Sequence, residues 1–186
     1  MLTSLITPRP IAWISTSGPD GATNLAPYSF FTVASLAPPV LLVSQVNPCH
    51  GGDKDTLRNL AANGECVVNM VSHDLAGAMN ASCAPLPYGS SEFAAAGLAA
   101  CSSQWVAAPG VAAASARIEC RLRDIQRIGD GPMGGSLLLL DVVGISVADA
   151  LLQDGVVDAA LLDTIGKLGG DGYCSTRQQF DMARPR

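Results

Sequence analysis

From Ala116 to Arg123 the chain alternates without a slip, with Ala116, Ile118, Cys120 and Leu122 on one side and Arg117, Glu119, Arg121 and Arg123 on the other. A period of two over eight residues describes an extended strand with one dry and one wet face. A glycine-rich turn at 129–135 follows, and then Ser136 to Val147, the most apolar stretch of the sequence. The turn joins the two runs as an antiparallel pair. The charged face of the first strand reads as a solvated or interface surface.

The rest of the chain is built from similar pieces. Pro10 to Ser17 is β-branched and aromatic and ends at a Gly18-Pro19-Asp20-Gly21 turn, after which a second extended stretch runs from Ala22 to Leu36. Pro27 interrupts that stretch; lacking an N–H to donate, it requires a bulge, an edge or a break. Further strands are expected at Val40–Val46 and Cys66–Val71. The helices are short. Asp55–Asn63 places Leu57, Leu60 and Ala61 on one face, with Asp53 and Asp55 as candidate N-caps and Gly64 as the stop. Ser72 is placed to cap a second helix through Met79, and Ser91–Ala96 a third. Val156–Ile165 has room for one or two helical turns, and 166–172 is a glycine-rich loop. With no repeat and no linker, residues 1–186 are expected to form one mainly β domain, a closed antiparallel barrel with short α-helices covering its gaps, since closure removes exposed edges.

Composition narrows the function. With 48% hydrophobic and 15% charged residues, the 186-residue chain can bury a core without a structural metal or disulfide. A net charge of −5 with 11 basic residues lacks the footprint of a nucleic-acid binder. There is no apolar run of about 18 residues to span a membrane. The N-terminus has no basic region followed by an apolar one, so a cytoplasmic location is expected. The six cysteines form no C-x-x-C pair and neither histidine has a ligand partner at helical spacing, which argues against zinc and thioredoxin-like chemistry.

Gly129-Asp-Gly-Pro-Met-Gly134 matches the dinucleotide fingerprint letter for letter, but Pro132 and the strand that follows place it in a hairpin. Gly51-Gly-Asp-Lys-Asp-Thr56 lacks P-loop spacing, yet it delivers Lys54, Asp55 and Thr56 to the first turn of a helix, where free N–H groups and the positive dipole end favour an anion. A helix cap preceded by a solvated lysine is the alternative. Lys54 and Lys167 are the only lysines, and each stands beside glycines. Asn24-Leu-Ala-Pro-Tyr-Ser-Phe-Phe31 surrounds a forced irregularity with three aromatics and a hydroxyl, which suits either a flat, partly polar ring or the core. No G-x-S-x-G elbow or carboxylate pair is present, and only His50 and His73 could serve a triad, so no catalytic residue is assigned.

In this order, Pro8-Arg-Pro-Ile-Ala-Trp-Ile-Ser-Thr16, Asn24–Phe31, Lys54-Asp-Thr-Leu-Arg-Asn59, Val67-Val-Asn-Met70, Met79-Asn-Ala-Ser82 and Gly169-Gly-Asp-Gly-Tyr173 resemble the flavin reductase-like family with an FMN-binding split barrel. The resemblance implies an antiparallel split barrel, a homodimer, and FMN in a groove near the subunit interface. It further implies that Pro27, Tyr28, Ser29 and Phe30 border the isoalloxazine ring and that Ser44 adds a polar contact. Lys54, Asp55 and Thr56 would hold the phosphate, with Asn80, Lys167 and Tyr173 closing over the flavin. Family members often carry arginine where Lys167 stands, which reduces a bidentate contact to a point charge. NADH or NADPH would be the donor, and flavin, oxygen or a partner monooxygenase the acceptor. A flavoredoxin-like FMN electron carrier, not reduced by a nicotinamide, would share fold and site. A cofactor-free hydrolase or structural dimer is the third class.

Overall fold

The computed structural model describes residues 1–50 and 52–185; Gly51, in the loop ahead of Lys54, and Arg186 lie outside the described residues. Seven strands form one antiparallel sheet: β1 (Ala12–Ser17), β2 (Thr23–Tyr28), β3 (Phe31–Leu36), β4 (Pro39–Val46), β5 (Glu65–Asn69), β6 (Ala116–Arg127) and β7 (Gly135–Val147). Their order is β2-β1-β5-β6-β7-β4-β3. The two outermost strands are neighbours in the chain, joined through Ser29 and Phe30, so the sheet must curl until its edges meet. Across that closure β4 takes both bonds: its Ser44 N–H donates to the Phe30 carbonyl at 2.7 Å, and its Gln45 Oε1 accepts from the Tyr28 hydroxyl at 3.2 Å. The result is the split barrel.

Pro27 finds the edge solution. It stands in β2 opposite Trp13, on a strand whose only ladder partner is β1, and the break falls two residues later at Ser29. The barrel interior holds Ala12, Ile14, Tyr28, Leu41, Val43, Cys66, Val68, Cys120, Leu138 and Leu140. Helix α2 (Asp55–Asn63) adds Leu57 and Leu60 to this core, each worth about 1.5–3 kcal/mol of burial. It ends at Gly64, whose φ of 72° suits glycine at that position.

β1 is buried on both faces. Its outward Trp13, with Ile11 just ahead of the strand, joins Leu25, Met79, Phe93 and Ile165 in a second cluster, covered by α3 (Ala76–Ala81) and α4 (Glu92–Ala95). The Trp13 indole donates to Ser82 Oγ at 2.9 Å, so its polar atom is not stranded. α1 (Leu2–Leu5) is exposed, and α5 (Ala159–Leu162) is capped by Asp158. The 166–172 loop is the tip of a small hairpin, β8 (Ile165–Lys167) with β9 (Tyr173–Ser175).

Three local expectations are corrected. Neither Asp53 nor Asp55 caps α2: Lys54 holds the N-cap position, Asp55 follows as the first helical residue, and Asp53 turns to Arg127 in a bidentate pair at 2.7 Å. Ser72 makes no side-chain cap, and a short 3₁₀ turn at His73–Leu75 intervenes before α3. The charged face of β6 is not uniformly wet. Glu119 is buried there, because the 102–109 loop crosses it and donates backbone N–H groups to its carboxylate. The fingerprint-like 129–134 segment forms the β6–β7 hairpin as expected, held by Asn47 Nδ2 on the carbonyls of Gly129 and Gly131.

Candidate functional site

The first turn of α2 lies against the barrel end closed by Tyr28. Tyr28 is buried, and burial pushes its hydroxyl pKa well up despite the nearby Thr56 hydroxyl, so it stays a protonated donor. The Lys54 ammonium lies 5.5 Å from the Tyr28 ring centroid. Partial desolvation there lowers its pKa, and among the described residues no carboxylate pairs with it. The N–H groups of Leu57 and Arg58 both use the Lys54 carbonyl, and among the described residues that of the half-buried Asp55 has no acceptor, which makes it the open donor of the turn.

Partial desolvation raises the pKa of the Cys83 thiol, and the charges of Lys54 and Lys167 both lower it. The Lys167 ammonium sits 4.3 Å from the Tyr173 ring centroid and donates to the Gly172 carbonyl at 3.1 Å and to that of Gly170. Lys167 and Tyr173 join Asn80, His73 and Asp171 in lining a cavity of about 660 Å³ between α3 and the β8–β9 hairpin.

The remaining expected residues stand on the other side of Arg9. Ser29 and Phe30 line a second, mostly apolar concavity of about 490 Å³ with Leu2, Ile6 and Pro8 of the N-terminal segment. Ser44 is half-buried on β4, its N–H spent on Phe30; Pro27 is half-buried on β2; Asp55 accepts from Arg58 at 3.3 Å. Thr56 is fully buried, and its hydroxyl faces inward to Asn24. Asn80, Lys167 and Tyr173 thus share one cavity, and Tyr28, Lys54, Asp55 and Thr56 meet at the start of α2. Pro27, Ser29, Phe30 and Ser44 gather around the strand break.

Arg9 links the first of these groups to the last and escaped the reading of the sequence. Its backbone pairs with Lys167 in both directions, at 3.0 and 2.8 Å. Its buried guanidinium reaches Ser29 Oγ at 3.5 Å, the Ile6 and Leu168 carbonyls at 2.7 and 2.9 Å, and the Phe30 ring at 5.7 Å. The only local signal was an arginine between two prolines.

A family model described as flavin reductase like domain matches residues 4–165. The chain belongs to this family. An uncharacterised protein of Halalkalibacterium halodurans is 36% identical over 187 residues, spanning all of this chain and 90% of that one. Among solved structures, nitrilotriacetate monooxygenase component B from Bacillus cereus superposes with a TM-score of 0.92 at 35% identity, over 97% of this chain and 90% of its own. The 2-nitrobenzoate 2-nitroreductase NbaA of Pseudomonas fluorescens gives 0.87 at 28%, over 99% and 88%. The split barrel is therefore the family's fold as well as this chain's.

The donor set suits a phosphorylated flavin. At the start of α2 stand an ammonium without a carboxylate partner and a backbone N–H without an acceptor among the described residues, and the second ammonium, that of Lys167, lines a cavity of cofactor size.

Proposed function

We propose that this protein is an FMN-dependent oxidoreductase, an NAD(P)H:flavin reductase that passes electrons from NADH or NADPH through FMN to flavin, oxygen or a partner monooxygenase. The observation that carries the reading is the first turn of α2, where Lys54 lies over the Tyr28 ring with no carboxylate partner and the N–H of Asp55 has no acceptor among the described residues. When bound, FMN supplies the hydride and electron chemistry. Lys54 and the N–H of Asp55 hold the phosphate, with the buried Thr56 fixing the turn behind them. Pro27, Tyr28, Ser29, Phe30 and Ser44 border the ring, and Asn80, Lys167 and Tyr173 close the far side. Tyr28 stays protonated beneath Lys54, so the barrel end adds no negative charge against the anion.

A homodimer is part of this reading. Leu2 and Ile6 share one concavity wall with Phe30, and Val33 and Leu36 continue the apolar surface along β3, all of them exposed. An apolar face of this kind on an edge strand favours a self-complementary partner. The component B relative supports a monooxygenase as acceptor. No described helix is long and apolar enough to cross a membrane, which accords with the proposed cytoplasmic location.

The test is the visible spectrum of purified protein with added FMN, followed by anaerobic NADH and NADPH. A bound flavin spectrum bleached by either nicotinamide is expected. Binding without bleaching would replace the reductase with an electron carrier, and failure to bind FMN would overturn the cofactor assignment.

A further inference from the structure

Behind the open turn of α2 lies a chain of buried polar side chains that no core of this kind needs for its own sake. Asn24 on β2 is 7% exposed and donates through Nδ2 to Thr56 Oγ1 at 2.9 Å and to Thr16 Oγ1 at 3.2 Å. Asn59, one turn further along α2, donates to the same Thr16 oxygen at 3.0 Å. Thr16, Thr56 and Asn59 are each 2% exposed or less. Asn24 and Thr16 are register partners in the β1–β2 hairpin, so the hairpin and the start of α2 are joined at two successive turns of the helix.

Buried polar groups are costly unless satisfied, and a satisfied network fixes one geometry where apolar packing alone would allow sliding. Here the fixed geometry is that of residues 55 and 56. The Thr56 hydroxyl is committed inward to Asn24 and the whole residue is buried, so the outward donor of the turn is the N–H of the half-buried Asp55 beside it. We infer that Asn24 is a positioning residue for the phosphate seat: through the Thr56 hydroxyl it fixes the start of the helix and aims the N–H of Asp55, and so sets the preference of the site for a phosphorylated flavin over an unphosphorylated one. This rests on the phosphate assignment proposed above and assigns the Thr56 side chain an indirect part in it.

The test is equilibrium binding of FMN and of riboflavin, which lacks the phosphate, followed by quenching of flavin fluorescence. The proteins compared are the wild type, Asn24→Ala, Thr56→Val, Thr56→Ser and the Asn24→Ala/Thr56→Val double variant. Each of the first two single substitutions is expected to weaken FMN about 3- to 10-fold, the size of one hydrogen bond, while riboflavin affinity stays within about twofold. The double variant should be no weaker than the worse single, because both remove the same bond, and Thr56→Ser should restore the wild-type ratio. Equal losses for both flavins, or additive losses in the double variant, would overturn the positioning role. If Asn24→Ala does not fold, the Thr56→Val and Thr56→Ser pair decides on the same ratio. A wild type that binds riboflavin as tightly as FMN would instead refute the phosphate assignment itself.

Discussion

The Glu119 carboxylate accepts the backbone N–H of Trp105 at 2.6 Å, and that bond fastens an entire loop to the outside of the barrel. The neighbouring N–H groups of Gln104 and Val106 reach the same carboxylate at 3.0 and 3.2 Å. Removing it leaves three donors stranded beneath the loop, one of them on buried Val106. Glu119→Ala should lower stability by about 2–4 kcal/mol, read as a lower urea midpoint at unchanged slope. Glu119→Gln, which loses the charge and turns an N–H₂ toward the same donors, should recover only part. A midpoint unchanged in both variants would remove the carboxylate from any stabilising role.

The same loop places the Trp105 ring where β7 has no side chain. A Cβ at Gly144 would fall 1.9 Å from Trp105 Cε3, a distance no packing tolerates. Gly144→Ala should displace the indole, cost about 1–3 kcal/mol and shift the tryptophan emission. The cost should largely vanish in a Trp105→Ala background. An equal cost in both backgrounds would assign the glycine to strand conformation instead.

Glu92 predicts a pH dependence. Burial raises its pKa above the ordinary 4.5, although the Leu25 N–H it accepts at 3.0 Å favours the charged form. A carboxyl whose folded pKa lies above its unfolded value stabilises most below the unfolded value and loses that contribution as pH rises through the folded value. Glu92→Gln keeps an acceptor for Leu25 and removes the titration. Its stability relative to wild type should therefore rise between about pH 4 and pH 7. Parallel curves across that range would show that Glu92 does not titrate abnormally.

The apolar strip of β3 carries the dimer prediction. Leu36 is 84% exposed and Val33 56%. Leu36→Glu with Val33→Asp should convert a dimer to a monomer by sedimentation at micromolar concentration, with the thermal transition of the barrel preserved. A double variant that remains dimeric would move the interface elsewhere.

Legibility from sequence followed the range of the physics involved. The β6–β7 pair, the α2 stop at Gly64 and the need for a bulge, edge or break at Pro27 rest on side-chain period, turn chemistry and a missing N–H, all properties of a few adjacent residues; which of the three Pro27 takes was left to the sheet order. Lys54 as the leading residue of an anion-favouring turn belongs with them. Glu119 was misread because its alternation places it correctly on the outer face, and periodicity carries no information about a distant loop that later covers it. Arg9 and Asn24 passed unnoticed for a related reason: their partners lie at Lys167, Ser29 and Thr56, and nothing local distinguishes a committed polar side chain from a solvated one.

The sequence by itself determined an antiparallel barrel with short helices and the residue types that could meet a phosphorylated, flat ligand. Only the tertiary structure decided that Lys167 and Tyr173 share a cavity with Asn80, that Thr56 turns inward, and that Arg9 joins Lys167 to Ser29. Those relationships appear only when the edges of the sheet meet at Ser29 and Phe30, because closure sets distances between residues whose local preferences are silent about one another.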